Sequence, residues 1–163
     1  MDKSGFNELM EHIRPKLYRF ALSYTRRTDE AEDVVQEVSA RLWEQRAELH
    51  ALRSVEAYAM RAVHNRCLDY LRSPRSQATE FTEEHDAAHE QTPYASLEQA
   101  DTAAFVQTLI SRLPEQQQAV IRLREVEEYE LDEIAEILDM NPGAVRTNLS
   151  RARQKLREEL LKQ

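Results

Sequence analysis

Apolar residues recur at intervals of three and four through most of the chain, the period of helices that bury one face. Phe6, Leu9, Ile13, Leu17, Phe20, Ala21 and Tyr24 form the first stripe. Pro15 is expected to split or kink it after Ile13, because proline brings no backbone N–H to the helix. A second helix is expected to start at Thr28 or Asp29, with Glu32 placed to close a capping box on Asp29. It turns Ala31, Val34, Val35, Val38 and Leu42 inward, with Trp43 beside them, and presents Asp33, Gln36, Glu37, Arg41 and Glu44 on its other side. A loop near 47–53 leads to a third helix, about Ser54 to Arg72. This helix carries Met60, Val63, Cys67 and Leu71 on one side and Arg61, Asn65, Asp69 and Arg72 on another.

The period is lost over 74–96, between Pro74 and Pro93, and this stretch is expected to link two helical domains. Four helices are expected from Leu97 onward. Phe105, Leu109, Ile110 and Leu113 close the first, and Pro114 opens the next at its first position, with Val120, Ile121 and Leu123 inward. The last two come from EYELDEIAEILDMNPGAVRTNLSRARQKLR. Leu131, Ile134, Ala135 and Leu138 form a short apolar face, and after a three-residue break Asn141 caps a second helix with Pro142 at its start. Val145, Leu149, Ala152, Leu156 and Leu160 share one stripe of that helix. Gly143, Arg146, Thr147, Ser150, Arg151 and Gln154 lie opposite, and Arg153, Lys155 and Arg157 add charge. Arginine-rich amphipathic helices are often plain solvated faces. Here the small-residue turn, the capped start and the hydroxyls beside Arg146 point to a helix-turn-helix whose second helix enters a DNA major groove.

Composition narrows the picture. Two glycines and five prolines in 163 residues fit an all-α protein of two small domains. The one cysteine, Cys67, excludes a disulfide scaffold and fits a reducing cytoplasm. No apolar run approaches bilayer length, so no membrane insertion is expected, and no signal peptide opens the chain. A net charge of −8 looks wrong for a DNA-binding protein until it is divided. Residues 1–73 hold equal numbers of basic and acidic side chains, whereas 74–104 hold one basic against seven acidic. The acid sits in the middle and the last helix keeps a basic face, so the isolated chain is expected to bind DNA weakly. His85 and His89 stand four apart, but no Cys–His set completes a zinc site. No phosphate-binding glycine loop or nucleophile–base pair appears, so no cofactor, metal or catalytic residue is expected.

The ordered motifs DEAEDVVQEVSARLWEQR (29–46), SVEAYAMRAVHNRCLDYLR (54–72), LPEQQQAVIRL (113–123), DEIAEIL (132–138) and GAVRTNLSRARQKLREEL (143–160) carry a resemblance. The chain resembles a bacterial RNA polymerase sigma factor of the sigma-70 family, extracytoplasmic-function group. That resemblance implies a region 2-like domain at 1–73, an acidic linker at 74–96 and a region 4-like helix-turn-helix domain at 97–163. The family usually has glycine near Glu128 and Asp139, often serine at Glu130, Trp at Tyr58 and Arg at Gln118. Asp139 should tolerate a left-handed turn better than most residues.

Three tasks follow from the resemblance. Core RNA polymerase would be gripped by Asp33, Gln36, Glu37, Arg41 and Glu44, whose spacing alone favours an ordinary solvated face. Promoter DNA at the minus-thirty-five element would be read by Arg146, Thr147 and Ser150. Arg151, Arg153 and Lys155, with the amides of Gly143 and Ala144, would hold phosphates. The melted minus-ten strand would meet the loop His50 to Ser54 and Arg61, His64, Asn65 and Arg72, with Asn65 matching a family asparagine. Trp43 is either a stacking platform or core, and Asp69 would orient Arg72 or Arg66. The linker, with Glu83, Glu84 and Asp86, would thread toward the polymerase's RNA channel or serve as a solubilising tether. An anti-sigma factor is the further partner implied. Two other readings stay open. A stand-alone helix-turn-helix regulator would bind a palindrome without polymerase, and a helical adaptor would tolerate loss of Arg146 and Arg151.

Overall fold

The computed structural model describes residues 2–74 and 97–162, all helix and connecting turns, in two compact units divided near His89. The linker expected at 74–96 lies outside the described residues except for Pro74, and so do His85 and His89.

The first unit is a bundle of α1 (Lys3–Thr25), α2 (Thr28–Glu44) and α3 (Val55–Leu71), each packed on the other two. Met10, Ile13 and Leu17 of α1, Val38 and Leu42 of α2, and Met60, Val63 and Cys67 of α3 are all but sealed from solvent. Burying each large aliphatic side chain contributes about 1.5–3 kcal/mol, which explains why the three stripes meet. Helix α1 departs from expectation, because it runs unbroken through Pro15. The carbonyl that Pro15 leaves without a donor belongs to Glu11, and both residues are exposed, so water can take the missing bond. The capping box on Asp29 is also absent. Arg27 is the cap of α2, without a side-chain bond, and the Asp29 carboxylate instead accepts from the Glu30 amide at 2.9 Å. On α3 the buried stripe is turned slightly from the expected one, with Tyr70 inside and Leu71 half-exposed. Trp43 is used internally. Its ring meets Phe6 edge to face at 5.1 Å between centroids, and the Arg46 guanidinium lies 3.8 Å over it.

The second unit holds α4 (Leu97–Ser111), α5 (Glu115–Ile121), α6 (Leu131–Leu138) and α7 (Pro142–Leu161), the four helices expected. Pro114 stands one position earlier than expected, as the cap of α5. Helix α5 continues into a π-turn over Arg122–Val126, and both α5 and α6 pack on α7. Ile121, Leu123, Ile134, Ile137, Val145 and Ala152 fill the centre, with Tyr129 in support.

Two backbone positions shape the turns on either side of α6. Glu128 and Asp139, the positions where glycine was expected, have φ 63° and 55°. At Asp139 the turn is a Schellman closure, with Met140 N–H donating to Ala135 O at 2.9 Å and Asp139 N–H to Glu136 O at 3.4 Å. Before α6, the Glu133 side chain accepts from the Glu130 amide at 2.9 Å, the half of a capping box that is independent of the side chain at 130.

Candidate functional site

Helix α7 is built outward from its cap. The Asn141 carboxamide accepts from the Gly143 amide at 2.7 Å, and a Cβ on Gly143 would come within 3.1 Å of the same oxygen. Glycine here keeps room for the cap. It also means that one of the two helix-start amides expected to meet a phosphate, that of Gly143, is already engaged within the chain. Val145, Leu149 and Ala152 anchor the inner face, while the stripe loosens at its end, where Leu160 is 45% exposed.

Outward, Arg146, Thr147, Ser150 and Arg151 are all exposed, and neither arginine has an ion pair among the described residues. The other two cations expected at phosphates are not free. Arg153 is fastened to Glu125 of the π-turn, with Nε and Nη2 at 2.8 and 2.7 Å from one carboxylate oxygen. Lys155 faces Glu159 one turn on at 3.6 Å.

In the first unit, Asp33, Gln36, Glu37, Arg41 and Glu44 are all exposed along α2. Glu37 is ion-paired to Arg66 of α3. Arg41 lines a cleft of about 210 Å³ between α2 and α3, and Gln36 lines a larger groove of about 730 Å³ between α1 and α2 with Glu11, Arg14 and Tyr18. The expected docking face therefore has an edge in each groove.

Helix α3 divides the residues expected at the melted strand. Arg61 and Asn65 share the smaller cleft with Gln45, Tyr58 and Asp69, and Tyr58 donates to Gln45 at 2.9 Å. His64 points elsewhere. Its ring is stacked near Phe20, and Nδ1 is hydrogen-bonded to the Tyr24 hydroxyl. Burial first, and the Arg61 charge second, hold its pKa below the ordinary 6.5. His64 thus has a packing role in the free protein. Arg72, exposed at the end of α3, stands apart from the cleft. Burial pushes the Cys67 thiol up to about 12, so it stays a neutral core group.

Helical period could not have disclosed the Glu125–Arg153 pair, the Tyr24–His64 bond or the α2–α3 cleft, since each joins residues at least 13 positions apart.

Comparison with known proteins agrees with this geometry. The family model described as Sigma-70 region 2 matches residues 9–77, and that described as Sigma-70, region 4, matches 106–156. The chain is 26% identical over 155 residues to "ECF RNA polymerase sigma factor SigM" of Mycobacterium tuberculosis, covering 95% of this chain and 76% of that protein. It is also 26% identical over 172 residues to the sigma factor SigW of Bacillus subtilis, covering 98% and 90%. In fold it is similar to the sigma factor RpoE of Bartonella quintana, crystallised with the anti-sigma factor NepR. The TM-score is 0.74 at 24% identity, covering 97% of both chains.

Proposed function

Since the chain belongs to the sigma-70 family, in its extracytoplasmic-function group, we propose how its two units divide the work of an alternative sigma factor. Such a protein binds core RNA polymerase and directs it to chosen promoters. The bond-forming chemistry remains with the polymerase, and this chain supplies recognition, in the cytoplasm where that enzyme works.

The carrying observation is α7. A capped helix presents Arg146, Thr147, Ser150 and Arg151 to solvent, behind a short helix set to lie across the backbone. We assign Arg146, Thr147 and Ser150 to base edges of the minus-thirty-five element and Arg151 to phosphate. Arg61 and Asn65, converging on the α2–α3 cleft beside Tyr58, are assigned to the melted minus-ten strand, and Arg72, outside the cleft, is assigned to the same strand by the resemblance alone. The outer face of α2, from Asp33 to Glu44, is assigned to the polymerase core. The domain limits proposed are 1–73 and 97–163, joined by 74–96, and the division between the two compact units falls inside that joining stretch. An anti-sigma factor is proposed as a further partner, because the similar RpoE was crystallised with one.

Co-purification with core polymerase tests the assignment of α2. Asp33→Arg combined with Gln36→Ala is expected to abolish capture while the helical content of the chain is unchanged. Capture equal to that of the parent chain would reject the α2 surface.

A further inference from the structure

Arg153 differs from the other arginines on its edge of α7. By helical period, Arg146, Arg153 and Arg157 fall within about 20° of one line along the helix. Arg146 and Arg157 have no carboxylate partner among the described residues, whereas Glu125 takes two N–H groups of Arg153 at 2.8 and 2.7 Å. The carboxylate comes from a separate element. Its π-turn is anchored next door by Arg124, which donates to Tyr129 O at 2.9 Å, and by Tyr129 N–H, which donates to Leu123 O at 3.0 Å. The backbone that carries Glu125 is thus held in place beside Arg153.

We propose that Glu125 acts as a built-in restraint on DNA affinity, neutralising Arg153 so that the recognition helix grips the duplex with one cation fewer than its sequence offers. The inference rests on α7 being the duplex-reading helix. It has a physical use, because phosphate contacts carry no sequence information. Withholding one weakens binding everywhere and leaves the base-reading residues to set the preference. An exposed pair is weak in isolation, but here a DNA phosphate must compete for Arg153 while a fixed carboxylate repels it.

The test is a double-mutant cycle on the full chain, read by fluorescence anisotropy on a generic labelled DNA duplex across a range of salt. Glu125→Ala is expected to tighten binding about two- to five-fold, the equivalent of an exposed pair's worth. It should also steepen the logarithmic salt slope by about 0.9, the signature of one more phosphate contact. Glu125→Ala with Arg153→Ala should return to near the parent affinity. Glu125→Gln, which keeps an acceptor without the charge, should gain in the same direction and covers the case in which the alanine variant does not fold. Unchanged or weaker binding by folded Glu125 variants would overturn the proposal. So would an equal gain with and without Arg153, which would reveal only a general charge effect. Arg151→Ala, at the residue assigned to phosphate, separates the two levels. If it weakens binding while Glu125→Ala does nothing, only the restraint fails; if it too has no effect, the reading of α7 fails.

Discussion

Glu128 and Asp139 hold left-handed backbone without being glycine. Asp tolerates that conformation because its short polar side chain can bond locally, but Glu has no such excuse, and the strain costs about 1–2 kcal/mol. Glu128→Gly is therefore expected to stabilise the second unit by about 1 kcal/mol, the relief being partly offset by the freer unfolded chain. A thermal melt that falls would refute the strain. His64 makes a second case. Its folded pKa lies below 6.5, so the unfolded chain binds the proton more readily. The stability linked to neutral His64 is whole above pH 6.5 and is lost as pH falls through that value toward the folded one. In paired melts at pH 7.5 and 5.5, the parent should lose more than His64→Gln, and equal losses would contradict the burial argument. The need for a left-handed turn at both positions was legible from the family's glycines. The inward turn of His64 was not, because Tyr24 and Phe20 reach it from another helix.

At the scale of elements, the cap of α7 was written in the order Asn141, Pro142, Gly143, and the structure uses all three. Asn141→Ala should cost about 1 kcal/mol and leave the Gly143 amide without its partner. Because the cap also aims the first turn at DNA, promoter binding should fall with it, and normal binding by a destabilised variant would separate the two. Pro15 shows the limit of local rules. A proline was expected to split or kink α1, yet with Ile13 and Leu17 buried on either side the helix continues past it without a split. The π-turn after Ile121 is the other element that apolar spacing could not announce. Glu125 lies within that turn and meets Arg153 of α7 from it.

For the whole molecule, the proposed reading gives the two units different tasks, and on that reading neither would start a transcript alone. Formal charge hid this, since a net −8 argues against DNA until the acid is located between the units and around the basic face of α7. Fold class and family were readable because motif order carries them, whereas which cations of α7 are paired within the chain depends on tertiary contacts and had to come from coordinates. The measurement that bears most directly on the account is mapping of transcript 5′ ends made on genomic DNA by core polymerase with and without this chain. The account predicts a new set of start sites sharing an upstream sequence, with Arg146→Ala altering preference at one of its positions by about 1–3 kcal/mol. Start sites identical with and without the chain would contradict it.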